Sequence, residues 1–296
     1  MTTTRKSAKV IAEVGCNHGG DMDSARKMIS VAASYCGVYA VKFQKRNVRE
    51  LLTEKEYNAP YVGVNSFGPT YGEHREALEF SMPEHYLLKE LCHENGVKYG
   101  CSVWDMTSAK QIVKLGPDML KIPSAKNHDV EMMRWILKNY DGCIHVSMGM
   151  MTKSERDALR ELTHKYPFRI ILYVCTSAYP VAFEDVCLGE INLLIGPGGI
   201  WSKCSGVGFS GHHKGIAIDM AAADRGVKWI ERHFTLDRTQ KGTDHAASLE
   251  PDGMRRLVRD LDNLAEASRM RDKDILECEI PNRRKLKGED SSPDTN

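Results

Sequence analysis

The 296-residue chain has no run of about 18 apolar residues, and its pattern therefore speaks against a membrane-spanning helix. It has no surplus of either charge. Its 41 Lys and Arg stand against 40 Asp and Glu, so the electrostatic footprint of a nucleic-acid or membrane-surface partner is missing. The opening MTTTRKSAK lacks the apolar stretch of a secretory signal. The nine cysteines are odd in number and scattered, with no C-x-x-C pair, which argues against a disulfide framework or a structural zinc site. Cys101, Cys143 and Cys175 sit in apolar runs, where a thiol behaves as a small hydrophobe. A reducing, cytoplasmic setting is the simplest expectation. Also missing are G-x-G-x-x-G after a strand, G-x-x-x-x-G-K-[ST], H-E-x-x-H and G-x-S-x-G.

What is present is ordinary globular composition, 42 % hydrophobic and 27 % charged, enough for a large core. Short β-branched runs at 10–14, 39–43, 97–103, 119–122, 144–147, 170–175, 207–210 and 227–231 predict strands. Between them, apolar residues at three-and-four spacing predict helices over 24–34, 84–94, 108–115, 130–139, 153–165 and 215–224, with a weaker segment at 184–194. A last helix is expected over 251–268, with Pro251 in its first turn. Eight alternations predict an α/β fold, a (β/α)8 TIM barrel of residues 1–270, although an open doubly wound sheet shares the alternation. Residues 271–296 read as a short linker-like tail, partly disordered, polar from 288 onward. Residues 45–81 read as a working loop over one barrel mouth, and the glycines at 196–199 as a turn.

Barrel enzymes gather their chemistry at the carboxyl ends of strands. Every expected strand end carries polar groups: Glu13 with Asn17 and His18, Lys42 and Gln44, Ser102 and Asp105, Lys121 and Ser124, Ser147, Thr176 to Tyr179, Ser210 to His213, and Glu231 with His233. Lys42 and Lys121, with Ser124, Ser147, Ser177 and Ser210 as neutral donors, suit a small anion bearing phosphate or carboxylate. A Schiff-base lysine and a merely rim-exposed lysine are the rival readings. His212 and His233 end neighbouring strands, about 4.8 Å apart, so both imidazoles reach one divalent ion, Mn²⁺, Mg²⁺ or Zn²⁺, with Glu13 or Asp244 near it. His213 and His245 can equally be satisfied core residues.

The blocks AEVGCNHGGDMDSA at 12–25, AVKFQ at 40–44, LKIPSA at 120–125, SMGM at 147–150, CTSAYP at 175–180, GFSGHHKG at 208–215, IERHFTLDR at 230–238 and GTDHAASLEP at 242–251 resemble, in order, the sialic acid synthases and other nonulosonic acid synthases. The resemblance covers roughly residues 10 to 255. It implies condensation of phosphoenolpyruvate (PEP) with an aldose, N-acetylmannosamine-like or another amino sugar, with loss of phosphate. It also implies Glu13, Lys42, Lys121 and Asp244 as catalytic residues, His212 and His233 as ligands of a divalent metal, Mn²⁺ first, and a homodimer. Gln44, Tyr179 and Asp244 match positions that contact the acceptor in the family. A Kdo- or heptulosonate-type synthase, a Schiff-base aldolase and a non-catalytic sugar-binding barrel are the alternatives.

Four departures set the chain apart from this pattern. Lys126 stands where the family carries an acid that binds the acceptor, which suits an anionic acceptor or a different sugar. Ser210-Gly211-His212 replaces Ser-Asp-His, which is expected to remove a carboxylate beside the metal ligand. Ser102-Val103 replaces Ser-Thr, at the expense of one hydroxyl contact to PEP. The family's C-terminal cap domain is not expected within the short stretch that follows the last barrel helix, and 279–286 (EIPNRRKL) reads as the linker that would precede it. The 45–81 loop, with Arg75, is expected to supply acceptor contacts in its stead.

Overall fold

The structure, a computed structural model, describes residues 6–196, 201 and 203–288. Residues 197–199 of the expected glycine turn and 289–296 of the expected tail lie outside them. The strands are β1 Lys9–Gly15, β2 Ala40–Lys45, β3 Lys98–Val103, β4 Met119–Ile122, β5 Ile144–Ser147, β6 Ile170–Cys175, β7 Gly206–Gly211 and β8 Trp229–His233. They close in sequence order into one barrel, every neighbouring pair parallel. The open-sheet alternative is thereby removed.

The crossover helices follow the apolar spacing. In order, the helices are α1 Met22–Ser30, α2 Val48–Leu51, α3 Glu54–Tyr57, α4 Tyr71–Glu76, α5 Met82–Glu94, α6 Met106–Leu115, α7 Val130–Asn139, α8 Lys153–Lys165, α9 Gly189–Ile195, α10 Ala217–Asp224, α11 Pro251–Ala267 and α12 Ile280–Lys287. Side-chain caps start several of them: Asp21, Asp105 and Asp129 accept first-turn N–H groups, and Thr152 forms a reciprocal box with Glu155. The helix expected over 24–34 ends its α-turns at Ser30 and continues as a π-turn, Val31–Tyr35. On α11, Met254, Leu257 and Leu261 repeat at three and four residues, so one stripe is buried against the barrel. The segment read as a linker is the helix α12, with no buried side chain.

Alternation along the strands sorts the side chains into two environments. Outward residues such as Val10, Val41, Val103, Ile122, Val146 and Phe209 join the helices in the main apolar core. Inward, Ile11, Ala40, Met119, Ile171 and Tyr173 close the amino-terminal half. Above that plug the inward positions turn polar. Glycines make the room: a Cβ at Gly100 would lie 3.0 Å from Lys42 Cγ, and one at Gly208 would lie 2.5 Å from the Tyr173 ring. The insertion after β2 folds as α2, α3 and α4 over the carboxyl-terminal mouth. Asn65 accepts the Gly242 N–H at 3.0 Å, and Lys241 lies 4.4 Å from the Phe67 ring, which ties the insertion to the loop after β8.

Candidate active site

At that mouth the barrel holds a cavity of about 320 Å³. Its lining includes Glu13, Lys42, Gln44, Arg75, Lys121, Ser124, Ser147, Ser177, Tyr179, Ser210, His212, His233 and Asp244. The expected site residues are therefore brought together, with the exception of Lys126, which lines an adjoining chamber.

The floor is an ionic quartet. Lys42 Nζ lies 2.5 Å from Glu13 Oε2 and 3.8 Å from Glu231 Oε2, and donates to Ser102 Oγ at 2.7 Å. Lys121 Nζ lies 2.7 Å from Glu231 Oε1, which also accepts from Ser210 Oγ at 3.2 Å. Gln44 Nε2 donates to Glu13 Oε1 at 2.8 Å, and Lys121 Nζ sits 4.0 Å above the Tyr173 ring. All four charged residues are buried. Two cations and two anions leave the floor neutral, which is what makes such burial tolerable. Burial opposes the Lys42 charge, but Glu13 and Glu231 overcome it and the pKa ends raised. For Lys121 burial wins, with Lys42 adding to it, and the pKa is lowered despite Glu231. Burial also opposes the Glu231 charge, yet the two lysines hold its pKa below the ordinary value. The lysines expected as free cations are thus ion-paired before any substrate arrives.

One wall is neutral. Ser177 Oγ is buried with no hydrogen-bond partner, and Ser124 Oγ has only the Cys175 sulfur, at 3.7 Å. A Cβ at Gly149 would stand 2.6 Å from both hydroxyls, so the bare glycine leaves a recess there. Asn127 fixes this turn by donating to the carbonyls of Ser147 and Gly149 at 3.0 and 2.8 Å.

The rim carries the two histidines. Their ring centroids are 5.5 Å apart, and Tyr179 covers His212 at 4.1 Å. His212 Nδ1 lies 2.9 Å from the Thr176 carbonyl, an acceptor only, so Nδ1 carries the proton and Nε2 keeps its lone pair. Burial, helped by His233, pushes the His212 pKa down to about 3. His233 Nδ1 is buried without a hydrogen bond and lies 3.8 Å from Asp244 Oδ2. Among the described residues no group of three or more His, Cys, Asp or Glu side chains forms a ready metal cluster.

Other strand-end residues turn out to be architectural. Asn17 donates to the Phe234 carbonyl and to Ser248 Oγ, both at 2.9 Å. His18 accepts the Gly20 N–H at 3.0 Å and stacks on Phe80 at 4.1 Å. Asp105 caps α6. His245 meets Thr235 Oγ1 at 2.7 Å, and His213 lies behind the sheet with Arg232 and Asp219, so both take the core reading. Two departures are corrected by strand alternation. A Cβ at Gly211 would meet the His213 ring at 2.8 Å and the Phe209 ring at 2.9 Å, so a side chain at 211 points behind the sheet and not at the metal pair. Val103 likewise lies in the outer core, so its missing hydroxyl faced no substrate.

Among the lining residues that received no role from the sequence are Glu231, Ser102 and Arg46. Glu231 stands two positions before His233 on one strand, and that period of two places both on the inner face. Ser102 shares a face with Gln44 by register. Arg46 had no signal. It is set by the insertion, where its guanidinium meets Glu79 at 2.9 Å, bonds Gln44 and lies 4.1 Å over Trp104.

Comparison with known proteins gives the family of the chain. Residues 28–273 match the NeuB family. The chain is 34% identical over 280 residues to the human N-acetylneuraminate-9-phosphate synthase, covering 94% of this chain and 76% of that one. It is 33% identical over 258 residues to the N,N'-diacetyllegionaminic acid synthase of Legionella pneumophila, covering 85% and 70%. The crystal structure of N-acetylneuraminic acid (sialic acid) synthetase from Leptospira borgpetersenii, in complex with citrate, superposes with a TM-score of 0.77 at 27% identity, over 95% of this chain and 93% of that one. With its closed barrel, its ordered motifs and these relatives, the chain belongs to the NeuB family.

Proposed function

We propose that this protein condenses PEP with an aldose, releasing phosphate and forming a nonulosonic acid or related 3-deoxy-2-keto acid. The observation that carries it is the buried Lys42–Glu13 and Lys121–Glu231 floor beneath a serine wall and the His212–His233 pair. PEP carries a carboxylate and a phosphate. The two lysines give it positive charge below, and the recess at Gly149, with Ser124 and Ser177, accepts an oxyanion that needs donors. Ser147 and Ser210 complete that wall.

In the reaction the C2=C3 electrons of PEP form a bond from C3 to the aldehyde carbon. The positive charge left at C2 is an oxocarbenium ion, which Glu13 and Glu231 face as carboxylates. Water adds at C2, and its proton passes to Glu13, whose other oxygen is held by Gln44. The former aldehyde oxygen, left as an alkoxide, takes up a proton from solvent. The C2–O bond to phosphate then breaks, the C2 hydroxyl gives its proton to the departing phosphate, and the ketone forms. Gln44, Tyr179 and Asp244 face the acceptor side of the cavity.

A divalent ion, Mn²⁺ first and Mg²⁺ or another ion as alternatives, belongs with His212 and His233. The donor set fits it: a neutral imidazole with a free Nε2, and a buried His233 Nδ1 without a partner beside Asp244. When bound, the ion polarises the aldehyde oxygen. The imine alternative is disfavoured because the nitrogen of each lysine is engaged by a carboxylate, Glu13 for Lys42 and Glu231 for Lys121. The same reading carries a cytoplasmic homodimer, which sedimentation and fractionation would check.

Phosphate release from PEP against a panel of aldoses, with Mn²⁺ and again with EDTA, tests the reading. Aldose-dependent, EDTA-sensitive release is expected. PEP and metal bound without release for any aldose would overturn it.

A further inference from the structure

Beside the reaction cavity lies a second chamber of about 200 Å³, which shares Arg46, Arg75, Trp104 and Ala125 with the lining of the first. Its lining contains three cations, Arg46, Arg75 and Lys126, and no carboxylate. Arg46 is already engaged by Glu79 and Gln44. Arg75 donates its Nε to Tyr71 Oη at 3.1 Å and lies 5.2 Å from that ring, but its terminal nitrogens have no acceptor among the described residues. The Lys126 side chain has none there either. The reaction cavity differs, because its lysines are balanced by Glu13 and Glu231.

We infer that this side chamber takes a phosphate ester carried by the acceptor sugar at the end remote from its aldehyde, held between Arg75 and Lys126. The inference rests on the synthase reading above. Two cations whose terminal nitrogens have no acceptor among the described residues, on α4 of the insertion and on the turn after β4, complement one dianion, although the charge of Arg75 also reaches Asp244. The arginine fork binds two phosphate oxygens and the lysine a third. The Val48, Leu51 and Leu52 side of the chamber is apolar, which limits screening of those charges. Position 126 is also where the family pattern has an acid for a sugar hydroxyl, and a cation there repels no phosphate. The names of the relatives do not decide the matter, since one is named for a 9-phosphate product and another is not.

The test is calorimetry with sugars reduced to alditols, which cannot condense. The protein is saturated with PEP and Mn²⁺ so that the PEP subsite is filled, then titrated with N-acetylmannosaminitol, its 6-phosphate and its 6-carboxylate. The phosphate is expected to bind about 30-fold more tightly than the neutral alditol, and the carboxylate in between. Arg75→Gln with Lys126→Gln is expected to erase the difference. Equal binding of phosphate and neutral alditol overturns the inference. So does a phosphate preference that survives both substitutions, or a carboxylate that binds more tightly than the phosphate. If the double variant melts early, Lys126→Gln alone, on a surface turn, carries the comparison and is expected to narrow the difference about fivefold. Phosphate release from PEP with the free aldoses is measured in parallel. Its absence would count against the synthase reading, while the alditol titrations decide the chamber by themselves.

Discussion

Replacing Glu231 by Gln keeps the side chain's shape and removes one of the two negative charges on the cavity floor. Glu231 pairs with Lys121 at 2.7 Å and lies 3.8 Å from Lys42, with both lysines buried. The variant therefore holds two buried cations against Glu13 alone. Breaking a buried pair by removing one partner costs about 3–5 kcal/mol. For a domain of this size that lowers the melting temperature by roughly 6–20 °C. Lys121 is the group that responds, because burial already lowers its pKa and Glu231 is its chief support. In the folded variant it sheds its proton more readily than in the unfolded chain. Stability therefore climbs with pH toward the ordinary lysine value of 10.5, and the deficit shrinks between pH 7 and 9.5. Circular-dichroism melts at both pH values, with phosphate release measured beside them, check this. A second variant, Glu231→Gln with Lys121→Met, is expected to recover more than half of the lost stability. An unchanged melt at pH 7, a deficit equal at both pH values, or simple additivity in the double variant would refute the reasoning.

His212→Ala or His233→Ala is expected to abolish Mn²⁺-dependent phosphate release while leaving the far-ultraviolet spectrum intact, and turnover surviving either change would sink the metal assignment. Gly149→Ala pushes a methyl group into the Ser124–Ser177 recess, where hydroxyls lie at 2.6 Å, and should raise the KM for PEP at least about tenfold. An unaltered KM would place the PEP oxyanions elsewhere. Asp219→Asn strips the charge partner from buried Arg232 behind the sheet and should cost about 3–5 kcal/mol in urea unfolding, with little change in the KM for PEP. Burial depresses His85, His145 and His212 to about 3, and His18 to about 4. The unfolded chain then binds more protons below about pH 6.5, so stability present at pH 7 declines as pH falls toward those values. A urea midpoint that stays flat from pH 7 to 5 would contradict this.

Much of the site was legible because a barrel converts strand periodicity into geometry. Once eight strands are counted, the inward residue at each carboxyl end must face one mouth, which is why Glu13, Lys42, Lys121, Ser210, His212 and His233 meet there. The same periodicity turns Gly211 and Val103 outward, because each stands one residue from an inward position, and it puts Glu231, a strand-end residue in the sequence, on the inner face with His233. Arg46 was not legible, because its partner Glu79 is 33 residues away and reaches it only through the insertion's own folding. Nor was Lys126 legible as the occupant of a separate chamber.

The sequence by itself determined the eight strand–helix alternations and most of the polar residues at the strand ends, because hydrophobic periodicity is a local property that chain order carries, whereas closure into a barrel was decided by the tertiary structure. Only the tertiary structure decided which charges neutralise one another. Lys121 and Glu231 are 110 residues apart and come within 2.7 Å across the barrel, while Arg75 and Lys126 have no salt bridge to a carboxylate among the described residues and meet in one chamber through the way the insertion folds back. Pairing depends on closure of the sheet and on burial, and neither is encoded in the spacing of any one segment.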